Sequence, residues 1–278
     1  KIGTDLYQLA IGNPRQFYGI TNPNEQILKL AFVFRNSNKS RTGRDVGGAD
    51  IFADLFENGL NVLVVEPNAP VLFEDPRRSP YFAGPNETVD VKVAAAAIGS
   101  ELSSLELFIN NVSVAQTTDD SLIYQLNTSG IGSGFTDITA VAADTSGSTD
   151  SSTFVIMVRD TPVETDPPAG IVPGINYNSS TSVTLALMAP FKDYVYAIGD
   201  FNDWMVDNNY YMNRKFYTSD SVIWWLTIDN LNPGEEYGFQ YLVDGDIRIA
   251  DPYTEIVLDQ WNDLFIPTVT YPNLKPYP

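Results

Sequence analysis

Short apolar runs broken by polar punctuation constrain this chain more than any other feature of it. Runs rich in Val, Ile, Thr, Phe and Tyr occupy 5–11, 27–36, 88–96, 104–110, 135–144, 152–158, 182–189, 222–228 and 237–243, and clusters of Asn, Gly, Asp, Pro and Ser separate them. Alternation with a period of two marks a strand that is buried on one face, whereas an amphipathic helix needs a stripe every 3.6 residues. No segment sustains such a stripe. The most helix-like one, VAAAAIGSELSSL at 93–105, is split by Gly99 and reads as strand, loop, strand. The expected fold class is all-β, and this spacing of strands and turns suits antiparallel sandwiches.

Two proline-marked joints, VEPNAP at 65–70 and RDTPVETDPPAG at 159–170, divide the chain. Proline fixes φ and lacks an N–H, so neither stretch can sit in a central strand. The expected modules are 1–66, 67–162 and 163–270, with a linker at 271–278. The first module is small for a closed two-sheet core. It reads as a partial sandwich whose first strands lie upstream of Lys1, in a longer protein. Within the middle module, LSSLELFINNVSVAQ at 102–116 predicts a hairpin around Asn110-Asn111, and 138–158 repeats the plan with DTSGS as the turn.

Composition narrows the function classes. Hydrophobic residues make up 44% of the 278, enough for a buried core. The balance of 35 acidic to 16 basic residues gives a net charge of −19, which repels phosphate backbones and anionic membranes but leaves neutral ligands, cations and proteins open. The chain has no cysteine and no histidine. That removes disulfides, thiolate and imidazole metal sites, cysteine nucleophiles and the Ser-His-Asp relay. Its carboxylates gather in the turns TTDD at 117–120, VDGD at 243–246 and DQWND at 259–263, where Asp bonds the local backbone. No D-x-D-x-D-G calcium loop occurs. We therefore expect no catalytic constellation, no metal and no cofactor in this chain.

The third module is the most informative. In VIWWLTI at 222–228, alternation puts Val222, Trp224, Leu226 and Ile228 on the core face and turns Ile223, Trp225 and Thr227 outward. In EYGFQYLVDG, Tyr237, Phe239, Tyr241 and Val243 form the apolar set, with Gly238, Gln240 and Leu242 opposite and Asp244-Gly245 as the turn. A face bearing a tryptophan and an amide suits a sugar, whose C–H face stacks on an aromatic ring while an amide meets its hydroxyls.

Three ordered motifs, GDFNDW at 199–204, LNPGEEYGFQYLVDG at 231–245 and IADPYTE at 249–255, resemble carbohydrate-binding module family 48, an early-set sandwich of α-amylase-family glycoside hydrolases and of kinase glycogen sensors. The middle module resembles bacterial immunoglobulin-like spacers. FVFRN with GGADIF, in 32–52, resembles N-terminal domains of Bacteroidetes-type secreted amylases and outer-membrane starch-binding proteins. These resemblances imply tandem immunoglobulin-like and early-set sandwiches in a secreted or surface-attached protein. They imply a non-catalytic accessory region, which binds α-glucan or braces a downstream catalytic barrel. The other reading is a purely structural spacer or adhesin-like stalk.

Carried over by motif, Trp204 stands at the sugar-stacking tryptophan, Gln240 where the kinase-type modules have lysine, and Asn262 near a ligand-contacting asparagine. Ile247 and Arg248 follow the turn where a second stacking tryptophan belongs, so Arg248 is the polar candidate there. Trp225 is a further candidate ring. Trp204 also reads as a brace for its turn, and Trp261 as a ring buried against the linker. Arg41, Arg44 and Asp45 read as a solvated hairpin loop.

Overall fold

The computed structural model describes residues 11, 13–21, 27, 29–44, 48, 50–55, 59–67, 73 and 75–277. The protein is all-β, a tandem of immunoglobulin-like sandwiches.

Before residue 56, a short helix, α1 (Pro14–Tyr18), is capped by the Asn13 side chain, which accepts the Gln16 N–H. Four short strands follow: β1 (Lys29–Phe32), β2 (Phe34–Arg35), β3 (Thr42–Gly43) and β4 (Ile51–Asp54). β1 pairs with β4 and β2 with β3, both antiparallel. Among the described residues of this stretch no side chain is buried. Arg44 is exposed and pairs with Asp50; the strand expected at 5–11 lies, save for Ile11, outside the described residues, as does Asp45.

The middle sandwich comprises β5 (Gly59–Glu66), β6 (Tyr81–Ala83), β7 (Thr88–Ile98), β8 (Leu102–Ile109), β9 (Val112–Thr117), β10 (Ser121–Asn127), β11 (Gly134–Asp144) and β12 (Thr149–Val158). Its sheets are ordered β10-β7-β5 and β6-β12-β11-β8-β9. Alternation in β7 and β11 sends Val91, Val93, Ile138 and Ala140 inward against Leu105, Leu107 and Ile156. β5 pairs with β7, so residues 59–66 belong here and not to the first module, which corrects the boundary at 66/67. The proline after Glu66 ends an edge strand, where a missing N–H costs no ladder bond, and so does not mark a domain joint. The β8–β9 turn takes Asn110 and Asn111 at φ 47° and 65°, the paired left-handed geometry of a tight hairpin.

At the β11–β12 turn, Asp144 accepts hydroxyls from Ser100 (2.6 Å) and Ser146 (2.7 Å) and the N–H groups of Ser146 and Ser148. These donors, Ser100 foremost, hold its carboxyl down at about 2. A carboxylate whose folded pKa is depressed adds stability above its ordinary value near 4 and loses it as pH falls through about 2. Asp144→Asn is thus expected to flatten the slope of stability against pH across that window in urea titrations. An unchanged slope would contradict the assignment.

The third sandwich comprises β13 (Gly174–Ser179), β14 (Ser182–Met188), β15 (Val195–Gly199), β16 (Asn213–Thr218), β17 (Ser221–Ile228), β18 (Phe239–Val243) and β19 (Ile247–Ile249). The sheets are β13-β14-β17-β16 and β15-β18-β19. The set expected to face the core, Val222, Trp224, Leu226 and Ile228, does so against Leu185, Val195 and Tyr241. Buried Tyr241 donates to buried Asp251 at 2.6 Å.

A further apolar core joins the two sandwiches. Met157 of β12 meets Tyr194, Tyr196, Ile198, Val206 and Leu242 of the third sandwich, with Phe82, Phe135, Trp204 and Tyr211 packed around them. The Phe82 ring lies 5.6 Å from that of Tyr194 and 5.8 Å from that of Tyr196. Arg159 sits 4.5 Å over the Tyr194 ring. The proline-rich joint is fixed as well. Tyr211 donates to the Asp160 carbonyl (2.9 Å), Arg214 N–H to that of Val163 (2.9 Å), and Thr165 N–H returns to that of Arg214 (3.0 Å).

Candidate functional site

The GDFNDW turn is built from its ends inward. β15 stops at Gly199, a 3-10 turn follows over Asp200–Asn202, and Asp203 and Trp204 both take left-handed backbone, at φ 53° and 61°. Such residues cost about 1–2 kcal/mol each unless local bonds hold them. Here Trp204 N–H donates to the Gly199 carbonyl at 2.9 Å, while Asn202 accepts Gly199 N–H (2.8 Å) and donates to the Ala197 carbonyl (3.1 Å). Asp200 ties the assembly together. Its carboxylate accepts the Trp204 indole N–H (3.0 Å), the Gly238 N–H and the Lys275 ammonium (3.0 Å). Two glycines allow the close approach. A Cβ on Gly199 would lie 2.4 Å from the Gly238 carbonyl oxygen, and one on Gly238 would meet the Trp204 ring at 3.3 Å.

Trp204 is therefore half-buried, its N–H satisfied and its ring packed on Gly238 and on the core between the sandwiches. Arg248 reaches the same seam. Its guanidinium donates to the Arg78 carbonyl at 2.6 Å and lies 4.9 Å over the Phe73 ring. Burial, then the nearby Arg78 charge, pulls its pKa down. Gln240 is half-buried on β18, opposite Ile198. Trp225 belongs to the other sheet, and its indole N–H donates to the Thr165 carbonyl of the joint at 3.1 Å. Asn262 is exposed in a turn around Asp259, donating to it from side chain and backbone, both at 2.9 Å. These donors, the Asn262 side chain first, pull the Asp259 carboxyl down.

The structure thus brings Trp204 and Arg248 to one seam and leaves Trp225 and Asn262 elsewhere. The face expected to be open at Leu242 is closed by the middle sandwich, with Leu242 fully buried. Ile223, expected outward, is also buried. Trp261, expected to be buried, is 75% exposed, because its N–H and that of Asn262 cap Asp259 and fix the turn with the ring outside.

The residues that sequence reasoning missed are Tyr194, Tyr196 and Tyr211. Burial raises the pKa of all three, that of Tyr211 to about 12, with Arg159 pulling the other way, so they are neutral phenols near pH 7. A signal for them existed. YVYAI at 194–198 is apolar at both parities, the mark of a strand covered on both faces. Among the described residues, no three acidic, cysteine or histidine side chains gather as a metal cage.

No family model matches the chain, and no curated protein matches it in sequence. Among solved structures it is similar to the fibronectin(III)-like modules of Clostridium thermocellum CbhA, at 14% identity over 36% of this chain and 98% of that one, with a TM-score of 0.28. It is similar also to the N-terminal Ig1-2 module of the Drosophila receptor protein tyrosine phosphatase DLAR, at 10% identity over 67% and 91%, with a TM-score of 0.27. A third is SGBP-B of the Bacteroides ovatus mixed-linkage glucan utilization locus, solved with a mixed-linkage heptasaccharide, at 11% identity over 68% and 44%, with a TM-score of 0.26. Likeness at this level carries no argument about what this chain binds.

Proposed function

We propose that this chain is a non-catalytic brace, the accessory region of an extracellular α-amylase-family protein, in which the middle and third sandwiches act as one stiff unit. The observation that carries the proposal is the apolar core shared by the two sandwiches. It occupies the surface on which a sugar would stack and takes Trp204 and Arg248 into its border. The α-amylase family enters through the GDFNDW, LNPGEEYGFQYLVDG and IADPYTE motifs. Bracing is favoured over a bare stalk by the large apolar side chains left exposed over 261–269, where Leu264, Phe265 and Val269 stand more than four-fifths exposed and Trp261 three-quarters. Exposed apolar surface of that kind marks a place where a protein meets a partner, here a neighbouring domain. No helix among the described residues is long and apolar enough to cross a membrane.

The test is a titration with maltoheptaose and β-cyclodextrin followed by tryptophan fluorescence, with Trp204→Ala in parallel. The expected result is a flat titration in the wild type and a loss of about 2 kcal/mol of stability in the variant, from removal of a half-buried ring and its hydrogen bond. Saturable quenching that disappears in Trp204→Ala would overturn the brace and restore a glucan-binding arm.

A further inference from the structure

A cleft of about 430 Å³ opens in the third sandwich, beside the GDFNDW turn. β13, β14, the end of β17, the loop leading to β18 and the segment 254–258 line it. Its floor is apolar, with Ile175, Leu231 and Phe239 at the margin of the domain's own core. Its rim is acidic, with Glu235 on the loop and Glu255 on the segment after β19.

These carboxylates meet only neutral donors among the described residues. Glu235 accepts from the Asn232 amide (2.9 Å) and the Tyr237 hydroxyl (3.2 Å), and Glu255 from the Tyr177 hydroxyl (3.1 Å). Glu236, also in the lining, accepts the Tyr271 hydroxyl at 2.9 Å. The cation in the lining, Lys275, is held by Asp200 at 3.0 Å, which leaves the cleft net negative. An apolar floor under unneutralised carboxylates is complementary to an apolar body that carries positive charge. The carboxylates sit on two separate elements, so one ammonium meets one wall, whereas a chain with spaced cations meets both.

We propose that this cleft docks a polypeptide segment presenting one large apolar side chain between two basic ones. The cleft borders the GDFNDW turn through Phe201, Gly238 and Lys275, but none of the buried seam residues Met157, Tyr194, Tyr196 or Leu242 lines it, so a failure of peptide binding leaves the bracing role standing.

The experiment is isothermal titration of the whole chain with three end-blocked peptides: Gly-Ser-Lys-Phe-Arg-Ser-Gly, its acidic counterpart Gly-Ser-Glu-Phe-Glu-Ser-Gly, and Gly-Ser-Lys-Gly-Arg-Ser-Gly. Saturable binding is expected for the first, with both others weaker by about tenfold or more. Raising NaCl from about 0.05 to about 0.5 M is expected to weaken the first several-fold. The double variant Glu235→Gln with Glu255→Gln is expected to weaken it about tenfold. Both glutamates are exposed, so this variant is expected to keep the wild-type melting temperature. Equal binding of the three peptides, or none at all, would overturn the proposal. So would octylammonium binding as tightly as the first peptide, which would assign the cleft to a small cationic amphiphile.

Discussion

Trp224→Ala is expected to lower the stability of the third sandwich by roughly 3–5 kcal/mol, the range for deleting a fully buried aromatic side chain. Trp224 is 0% exposed, in the middle of β17, packed with Leu185, Val195, Met212 and Tyr241. Its indole N–H donates to the Ala189 carbonyl at 2.9 Å. Removing the ring deletes apolar contact, leaves a cavity between two sheets that cannot collapse freely, and strips that carbonyl of a donor. The neighbouring Trp225 supplies the control. It is half-buried on the opposite face and holds one bond to Thr165, so Trp225→Ala is expected to cost about 1–2 kcal/mol. Guanidinium unfolding of both variants measures the difference, and equal losses would place the core of this sandwich elsewhere.

That contrast was legible in VIWWLTI, because a period of two assigns faces without any knowledge of partners. The same holds for Gly99, which takes φ 90° between β7 and β8, and for the Asn110-Asn111 turn. What period two cannot say is what covers a face. Gly238, Gln240 and Leu242 were correctly placed opposite the core set, yet that face is closed at Leu242 by Met157, a residue far away in sequence. Trp204 was ambiguous for the same reason. GDFNDW specifies a left-handed turn around Asp200 and Asn202, but not whether the ring it presents meets solvent or another domain. The proline at 67 misled the module boundary because local chemistry shows where a strand ends, while membership of a sheet is a long-range pairing. Arg248 read as a polar candidate for a sugar, and only the arrival of Arg78 and Phe73 makes it an interdomain contact.

Tyr196→Ala is expected to separate the middle and third sandwiches. Its ring is fully buried in the seam, 4.6 Å from Tyr211 and 5.8 Å from Phe82, and its hydroxyl donates to Asn208 at 3.0 Å. Deleting it removes about 3–5 kcal/mol of contact. Most of the ring's seam partners lie outside the two sandwiches' own cores. The wild type should therefore unfold these two sandwiches in one calorimetric transition and the variant in two, with trypsin gaining access at Arg159. Tyr196→Phe, which loses only the hydroxyl bond, should keep one transition at a cost of about 1 kcal/mol. Alkaline pH probes the same device. The seam phenols ionise above their ordinary value of 10.0, so their contribution is complete below pH 10 and is lost as pH rises through the folded values, Tyr211 at about 12. The single transition of the wild type should accordingly begin to split above pH 10. One transition in Tyr196→Ala, at neutral and alkaline pH alike, would mean that the hydrogen-bonded joint at 160–166 couples the sandwiches without the shared core, and the stiffness would then belong to the linker.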